Sequence, residues 1–460
     1  MNQGAKKMID LLINNAQIVT VNNGLILNNS SIAISGNKIV DLGDSIELGA
    51  KYQHAKRIID ATDKVIFPGF INNHNHLFQT LIKGLGDDMV IGDWLRNVAY
   101  PFASKITPED VYTGAMIGLM ESIHSGVTTT LDYMYAHPVP KISDAVIKAM
   151  QDLKIRGIYA RGFVSEGEKY GTQKALMETP EEVIADFKYL VEKYEKPSAG
   201  KIKIWMAPSS PWANTKEMLQ KTWKVCQEYG AGYTVHISET DTPRNRAKEV
   251  HGFIDTEVLE EFGIVGPNVL LVHCVAINEK DIAMMKKYDI KVSHNPVCNM
   301  YLASGVAPVP QMLAEGVTVG LGLDGAASNN SQDMVETLKS TALLHKVSTR
   351  DPKIITAQKV LEMATIDGAR SIGMENEIGS LEIGKKADMF IFDPSLSAKS
   401  TPMHNPVSTL VYSSSASNIE TVIIDGEIVM EDSKILGIDE KDFYRKTQKM
   451  SVELIKEVYK

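Results

Sequence analysis

The chain has 460 residues, of which 44% are hydrophobic and 23% charged, a composition typical of globular proteins. The net charge of −9 is spread without long runs of one sign, which argues against nucleic-acid binding. No apolar stretch reaches the ~18 residues of a membrane span, and the N-terminal segment is too polar for a signal peptide. Three cysteines form neither a disulfide framework nor a Cys-x-x-Cys site, so we predict a cytoplasmic protein.

Short β-strands are predicted near both ends of the chain. Residues 11–13, 17–21, 31–34 and 38–40 are apolar runs between turns that contain Asn and Gly. Residues 387–393 and 421–426 repeat this pattern. We therefore predict one small β-sandwich domain that combines residues 1–66 with residues 376–460, which also end in a helix. The alternative is two unrelated β appendages.

Strands and helices alternate between residues 67 and 375. Thr107-Pro108 and Thr179-Pro180 each place an N-cap hydroxyl before a proline at the first helical position, so each pair predicts the start of a helix. Predicted strands cover residues 127–132, 203–207, 232–236, 269–273, 290–294 and 317–324. This alternation is typical of α/β proteins with a parallel sheet, and we predict a closed TIM-like (β/α)8 barrel.

Several of these strands end in histidine or aspartate. His74-Asn75-His76 follows an apolar run at residues 65–71. Side chains at i and i+2 point to the same side of a strand, about 6–7 Å apart, so the two imidazoles can bind one metal ion. Three further strands end in a residue of the same kind: His236, His273 and Asp324. Because barrel active sites lie at the C-terminal ends of the strands, we predict that these residues meet in one site.

The predicted site has the composition of a metal centre. His74, His76, His236 and Asp324 offer three imidazoles and a carboxylate, which suit Zn²⁺ or Fe²⁺. We expect one divalent ion, zinc in the first place and iron as the alternative. Such an ion leaves a position for water and lowers its pKa toward neutrality. Glu239, three residues after His236, can carry protons if the strand bends there; alternatively it is an acid at a helix start.

The segments HNHLFQTLIKGL, HISET, LVHCV, VSHNPVCN and LGLDGAASNN follow in this order. Together they resemble the amidohydrolase superfamily, above all its aminohydrolase branch. That branch contains cytosine, guanine, 8-oxoguanine and S-adenosylhomocysteine deaminases and the triazine hydrolases. The resemblance extends over nearly the whole chain and includes the small β domain through residues 379–388.

The resemblance implies metal ligation by four residues: His74, His76, His236 and Asp324. No lysine stands where two-metal members carry a carbamylated bridging ligand, which indicates one ion. The resemblance further implies that Glu239 is the proton shuttle, that His273 lies beside the hydrolytic water and that Asp324 takes part in proton transfer. The implied reaction adds water to a ring carbon that bears an amino group, and ammonia or an amine leaves. Asp324 speaks against a triazine chlorohydrolase, since such enzymes can carry threonine there.

Two departures from the pattern concern the substrate. Deaminases of adenosine-type substrates usually hold the ribose with a glutamate where this chain has Ala103 and a histidine where it has Ser209. A site built for hydroxyl groups discriminates by such polar partners. We therefore predict a deaminase of a ribose-free N-heterocycle such as 8-oxoguanine, guanine, a pterin, cytosine or a hydroxytriazine. The alternative is an S-adenosylhomocysteine or methylthioadenosine deaminase, which LGLDGAASNN supports. A non-catalytic scaffold is the least favoured alternative.

Five residues are predicted to contact this small-molecule substrate: Gln79, Trp94, Arg161, Ser209 and Trp212. The Gln79 amide can donate and accept at once, which suits a lactam edge, but it can also be a plain helix-start residue. The two tryptophans can stack on a planar ring or belong to the core. Arg161 can reach a substrate oxygen or form an ion pair. We expect a homo-oligomer, as is common in the family.

Overall fold

Residues 9–68 form five strands and one helix. The computed structural model describes residues 9–460. The elements are β1 (Leu11–Val19), β2 (Ile26–Ser35), β3 (Lys38–Asp44), α1 (Ser45–Lys51), β4 (Arg57–Asp60) and β5 (Val65–Pro68). Residues 11–13 and 17–21 were expected in two strands, but β1 is continuous. The register shifts at Ala16 and Asn15 adopts a φ of 62°, so a bulge absorbs the turn signal.

Eight parallel strands form the barrel in the order in which they occur in the chain. They are β6 (Phe70–Asn75), β7 (Val127–Met134), β8 (Arg156–Phe163), β9 (Ile202–Pro208), β10 (Tyr233–Ile237), β11 (Val269–His273), β12 (Lys291–His294) and β13 (Val319–Leu321). The barrel closes where the backbone N–H groups of Leu323 and Asp324 donate to the carbonyl of His74, at 3.1 and 2.9 Å. The predicted (β/α)8 fold is confirmed.

Helices lie between the barrel strands and after them. They are α2 (Ile91–Trp94), α3 (Tyr100–Ala103), α4 (Pro108–His124), α5 (Ile142–Asp152), α6 (Pro180–Leu190), α7 (Lys216–Tyr229), α8 (Asp241–His251), α9 (Asp255–Glu261), α10 (Glu279–Lys287), α11 (Pro296–Tyr301), α12 (Val309–Ala314), α13 (Ala326–Asn329), α14 (Met334–Thr349), α15 (Ala357–Met363) and α16 (Ile366–Ser371). As predicted, α4 and α6 begin at prolines, where Thr107 and Thr179 form capping boxes. Within residues 9–460, no helix has both the length and the apolarity that a bilayer crossing requires.

The C-terminal strands complete the small sheet that the N-terminal strands begin. The remaining elements are β14 (Met389–Phe392), α17 (Pro406–Tyr412), β15 (Ile419–Ile424), β16 (Glu427–Glu431), β17 (Lys434–Ile435) and α18 (Glu440–Val458). β14 pairs with β5 in antiparallel orientation, so nine strands from both chain ends form one hydrogen-bonded sheet. This pairing excludes two unrelated appendages. The boundaries at residues 66 and 375 stay a prediction.

The small sheet packs against the N-terminal ends of the first barrel strands. Phe67 and Phe70 flank the linking residue Gly69, and their rings lie 5.5 and 4.8 Å from the ring of Phe390 in β14. At the start of β8, the buried guanidinium of Arg156 donates to Asp388 at 2.9 Å. This packing leaves the C-terminal ends of the barrel strands free for a site.

Candidate metal centre and active site

Six ionisable side chains predicted to share a site meet at the C-terminal ends of the barrel strands. His76 Nε2 lies 3.3 Å from His236 Nε2, and the Nε2 atoms of His74 and His76 each lie 3.6 Å from Asp324 Oδ1. His273 Nε2 lies 3.7 Å from Asp324 Oδ2 and 3.8 Å from Glu239 Oε2. Strands β6, β10, β11 and β13 thus bring together residues that are up to 250 positions apart in the chain.

The surroundings of the imidazoles suit a metal ion. His76 Nδ1 donates to the carbonyl of Tyr133 at 2.6 Å, and His236 Nδ1 donates to the carbonyl of Ser209 at 2.7 Å. Both bonds leave the Nε2 lone pair free to ligate. Neither ring nitrogen of the fully buried His74 has a hydrogen-bond partner among the described residues, and a buried group of this kind calls for a ligand. Three imidazoles and a carboxylate fit a divalent metal ion such as zinc.

The ionisation states also suit metal ligation. Burial, reinforced by the neighbouring imidazole of His74, lowers the pKa of His76 to about 3. Burial likewise lowers the pKa of His74 and His236. Burial opposes ionisation of Asp324, but the imidazoles beside it hold the pKa of its carboxyl well below the ordinary value. The donor set is therefore three neutral imidazoles and one carboxylate, the forms that bind a metal.

Asp324 is held in a strained backbone conformation by buried hydrogen bonds. Its φ is 66°, and the φ of His273 is 73°; this left-handed region is costly for residues other than glycine and is found at functional sites. The side chain of Gln332 connects the end of β6 with the loop after β13, because its Nε2 donates to the carbonyl of Asp324 at 2.8 Å and its Oε1 accepts from Asn75 Nδ2 at 2.5 Å. The loop after β13 is thereby fixed to the strand that carries His74.

Glu239 lies in a short loop between β10 and α8. Ser238, just before it, has a φ of 46°; its backbone N–H donates to Asp255 Oδ2 at 2.5 Å and its hydroxyl to Asp255 Oδ1 at 2.8 Å. Helix α8 starts at Asp241 with Thr240 as N-cap. Glu239 therefore lies before the helix and not in its first turn, and it lines the cavity that opens above the cluster. Burial raises the pKa of the Glu239 carboxyl.

Asn299 orients His273. Its Oδ1 accepts from His273 Nδ1 at 3.0 Å, so Nε2 faces Asp324 and Glu239. Asn299 is fully buried in α11. The segment VSHNPVCN contains it, but nothing in the local pattern distinguishes it from a structural asparagine.

A cavity of about 420 Å³ opens above this cluster, and four of the five predicted substrate contacts line it: Gln79, Trp94, Ser209 and Trp212. Gln79 Nε2 donates to the hydroxyl of Tyr135 at 3.0 Å. Its buried Oε1 and the hydroxyl of Ser209 have no partner among the described residues. Trp94 is fixed by a 3.0 Å hydrogen bond from Nε1 to the carbonyl of Ala327. Gln79 and Ser209 thus leave polar atoms available to a ligand.

Arg161, the fifth predicted contact, does not line the cavity. It lies inside β8 rather than at its end. Its Nε donates to Asp186 at 2.6 Å and its NH1 to Glu178 at 2.9 Å. The prediction of a substrate contact is corrected here, because two carboxylates already bind this buried guanidinium.

The cavity also contains residues for which the sequence offered no signal. Tyr100, Tyr135, Arg246 and Leu302 line it, although they come from loops and helices far apart in the chain. Cys298 is buried and also lines the cavity. Burial raises its pKa well above that of an ordinary thiol, so it stays protonated.

Relatives with similar sequences cover almost the whole chain. A 5′-deoxyadenosine deaminase of Methanobrevibacter smithii is 36% identical over 451 residues, which are 96% of this chain and 99% of the relative. A 5-methylthioadenosine/S-adenosylhomocysteine deaminase of Syntrophomonas wolfei is 36% identical over 447 residues, which are 97% of this chain and 99% of the relative.

Solved structures share the fold. An adenosine deaminase from Xanthomonas campestris with bound zinc has a TM-score of 0.90 at 24% identity, over 97% of this chain and 99% of that one. The zinc complex of an atrazine chlorohydrolase from Arthrobacter aurescens has a TM-score of 0.88 at 23% identity, over 96% of this chain and 100% of that one.

The model of the amidohydrolase family matches residues 65–429. This match spans the whole barrel and most of the C-terminal strands of the small sheet. It therefore includes all six ionisable residues of the cluster. The predicted family and reaction class are confirmed: the chain belongs to the amidohydrolase family and is a hydrolase of carbon–nitrogen bonds, a deaminase.

Proposed function

We propose that the enzyme hydrolyses the ring amino group of a 5′-modified adenosine, such as 5′-deoxyadenosine, 5′-methylthioadenosine or S-adenosylhomocysteine. The observation that carries this proposal is the cavity, which has Glu239, His273 and Asp324 at its floor. Its volume of about 420 Å³ lies in the range of small-molecule sites. The names of the full-length relatives support this substrate class, which was the alternative and not the first choice from the sequence.

Four residues would hold one divalent ion, zinc in the first place: His74, His76, His236 and Asp324. When bound, the ion supplies an activated water at neutral pH. The lining of the cavity, within residues 9–460, includes no lysine, which supports one ion rather than two.

The remaining polar residues carry the protons of the reaction. The oxygen of water bonds to the amino-bearing ring carbon and the carbon–nitrogen bond breaks, while the two protons of water end on the adjacent ring nitrogen and on the departing ammonia. Glu239 would deliver the proton to the ring nitrogen; the distance of 3.8 Å between its carboxylate and His273 Nε2 at the cavity floor supports this role. Asp324 and His273 face the same point.

Part of the cavity wall is apolar and suits the purine ring and the 5′ carbon of such a substrate. Val90, Ile91, Leu95 and Leu302 line it together with Trp94. An uncharged methylthio or deoxy group can pack against these side chains. Burial of such a group contributes about 25 cal/mol per Å² of apolar surface.

A ribose-free heterocycle is the second candidate substrate. Ala103 is fully buried in α3 and does not line the cavity, so no carboxylate stands there to bind the ribose. Ser209 offers only a hydroxyl at the other position. These two residues are the observations that favour a free base.

Ammonia release by the metal-replete enzyme separates the two substrate classes. One arm contains 5′-deoxyadenosine, 5′-methylthioadenosine and S-adenosylhomocysteine; the other contains 8-oxoguanine, guanine, isoxanthopterin, cytosine and a hydroxytriazine. The proposal predicts higher kcat/KM in the first arm, with a loss of about 10²- to 10⁴-fold in Glu239→Gln. Turnover confined to the second arm would contradict it.

A further inference from the structure

Arg246 provides the cavity with a positively charged side chain. It lies in α8, about 7.5 Å along the helix axis from Asp241, the first residue of the helix, and it lines the cavity. Among the described lining residues it is the one arginine, and no lysine accompanies it. The acidic residues of the lining, Glu239 and Asp324, belong to the floor. The cavity therefore combines an acidic floor with a cation on its wall.

Aromatic rings hold the guanidinium of Arg246 in place. Its central carbon lies 4.5 Å from the ring centroid of Tyr170 and 5.1 Å from that of Trp212. The two rings meet edge to face at 5.4 Å, and the Tyr170 hydroxyl donates to Glu249 of the same helix at 2.7 Å. Cation–π contacts of this kind orient a guanidinium without using its N–H groups.

The N–H donors of Arg246 are free for a ligand. Within residues 9–460, no carboxylate forms a salt bridge with it and no protein oxygen accepts a hydrogen bond from it. Arg161, by contrast, is paired with Glu178 and Asp186. A fixed guanidinium with free donors matches the oxygens of a carboxylate or phosphate in a two-pronged hydrogen bond. It loses little side-chain entropy on binding because the rings already orient it.

We propose that Arg246 binds an anionic group at the 5′ end of the substrate, and that the enzyme prefers substrates that carry one. This inference rests on the proposed function, because it places the adenine ring at the floor. The anion is a carboxylate, as on an amino-acid tail, or a phosphate; both offer the same oxygen geometry to the guanidinium. Arg246 is then a specificity-determining residue that touches the substrate at the end remote from the reacting carbon.

The test compares three substrates that differ at the 5′ position. S-Adenosylhomocysteine carries a carboxylate, adenosine 5′-monophosphate carries a phosphate, and 5′-methylthioadenosine is uncharged. The wild type, Arg246→Gln and Arg246→Lys are assayed for kcat and KM on each substrate. Lys248→Gln, an exposed position of the same helix, controls for the change in net charge.

We expect the wild type to prefer one of the anionic substrates over 5′-methylthioadenosine. Arg246→Gln should lower kcat/KM for that substrate by about 10- to 100-fold, as for a lost hydrogen bond to a charged group, mainly through KM. Turnover of 5′-methylthioadenosine should change less than about twofold, and Arg246→Lys should fall between. The arm with the larger loss identifies the anion.

Other outcomes separate the failure of this inference from that of the proposed function. An equal loss on all three substrates means that Arg246 only supports the wall, and no loss means that it binds nothing; both overturn the inference and leave the proposed function standing. A wild type that prefers 5′-methylthioadenosine also overturns it. If the wild type deaminates none of the three but acts on a free base, the proposed function fails and the inference fails with it.

Discussion

Replacing Gln332 by alanine should weaken metal binding although Gln332 is not a ligand. Its fully buried side chain accepts from Asn75 at 2.5 Å and donates to the carbonyl of Asp324 at 2.8 Å. The substitution leaves both groups buried without a partner, at a cost of about 1–3 kcal/mol each, or about 2–6 kcal/mol together. The loop after β13 can rearrange to give these two groups new hydrogen-bond partners, but Asp324 then loses the backbone conformation that directs it at the metal.

The expected effect on the metal follows from this range. A 10- to 100-fold loss of metal affinity corresponds to about 1.4–2.8 kcal/mol. This is less than half of the largest expected cost of the two unpaired groups, about 6 kcal/mol. Losses of this size are typical when a partner of a metal ligand is removed. Competition with a chelator measures the affinity independently of catalysis, and circular dichroism checks the fold.

Gln358→Ala is the matched control. Among residues 9–460, the side chain of this half-buried glutamine of α15 bonds to Glu362 alone, at 3.1 Å, and its removal should leave the affinity for the metal unchanged. A Gln332→Ala protein that is folded and binds metal as tightly as the wild type would refute the idea that this bridge positions Asp324.

Three further predictions concern other parts of the structure. His74→Ala should reduce the metal content from about one ion per chain to a small fraction, because it removes a buried ligand; elemental analysis of the purified variant measures this, and full occupancy would exclude His74 as a ligand. Asn299→Ala should lower kcat by about 10- to 100-fold with little change in KM, since the orientation of His273 is lost; steady-state kinetics tests it, and a parallel rise in KM would indicate a binding role instead. Arg156→Met should destabilise the fold by about 3–5 kcal/mol because it leaves Asp388 buried and uncompensated. Denaturant unfolding should show that Arg156→Met with Asp388→Leu recovers part of this loss, and equal stability of the single variant and the wild type would contradict the argument.

The cluster at the strand ends could be predicted because its signals are local. The i, i+2 spacing places His74 and His76 on one side of the chain at the end of β6, and the parallel topology brings the ends of β10 and β11 to the same edge. The position of Asp324 was anticipated less well. It was expected in a strand but lies after β13 in a left-handed conformation, which the apolar run before it does not indicate.

The residues that support the cluster could not be predicted in this way. Gln332 contacts Asn75 across 257 positions in the chain, and Arg246 reaches the cavity only because α8 packs beside Tyr170 and Trp212. Such contacts depend on loop geometry and on packing between elements. The misplacement of Arg161 has the same origin, because Arg161 lies within β8 and its guanidinium pairs with carboxylates of segments that follow β8.

The substrate class was the least predictable part. The absence of a carboxylate at Ala103 and of an imidazole at Ser209 argued for a free base. The names of the full-length relatives, however, describe deaminases of nucleosides. Local loss of two contacts does not exclude a substrate when other cavity residues, such as Gln79 and Arg246, offer polar groups. Which groups compensate depends on the shape of the whole cavity.

Hydrolytic deamination is tested most directly by incubating the metal-replete enzyme and its Glu239→Gln variant with 5′-methylthioadenosine in water labelled with oxygen-18. Mass spectrometry of the product, together with ammonia determination, reports the reaction. We expect one labelled oxygen at the former amino position and one ammonia per product molecule for the wild type, and little product for the variant. Unchanged nucleoside with the metal-replete wild type, or equal turnover by Glu239→Gln, would contradict it.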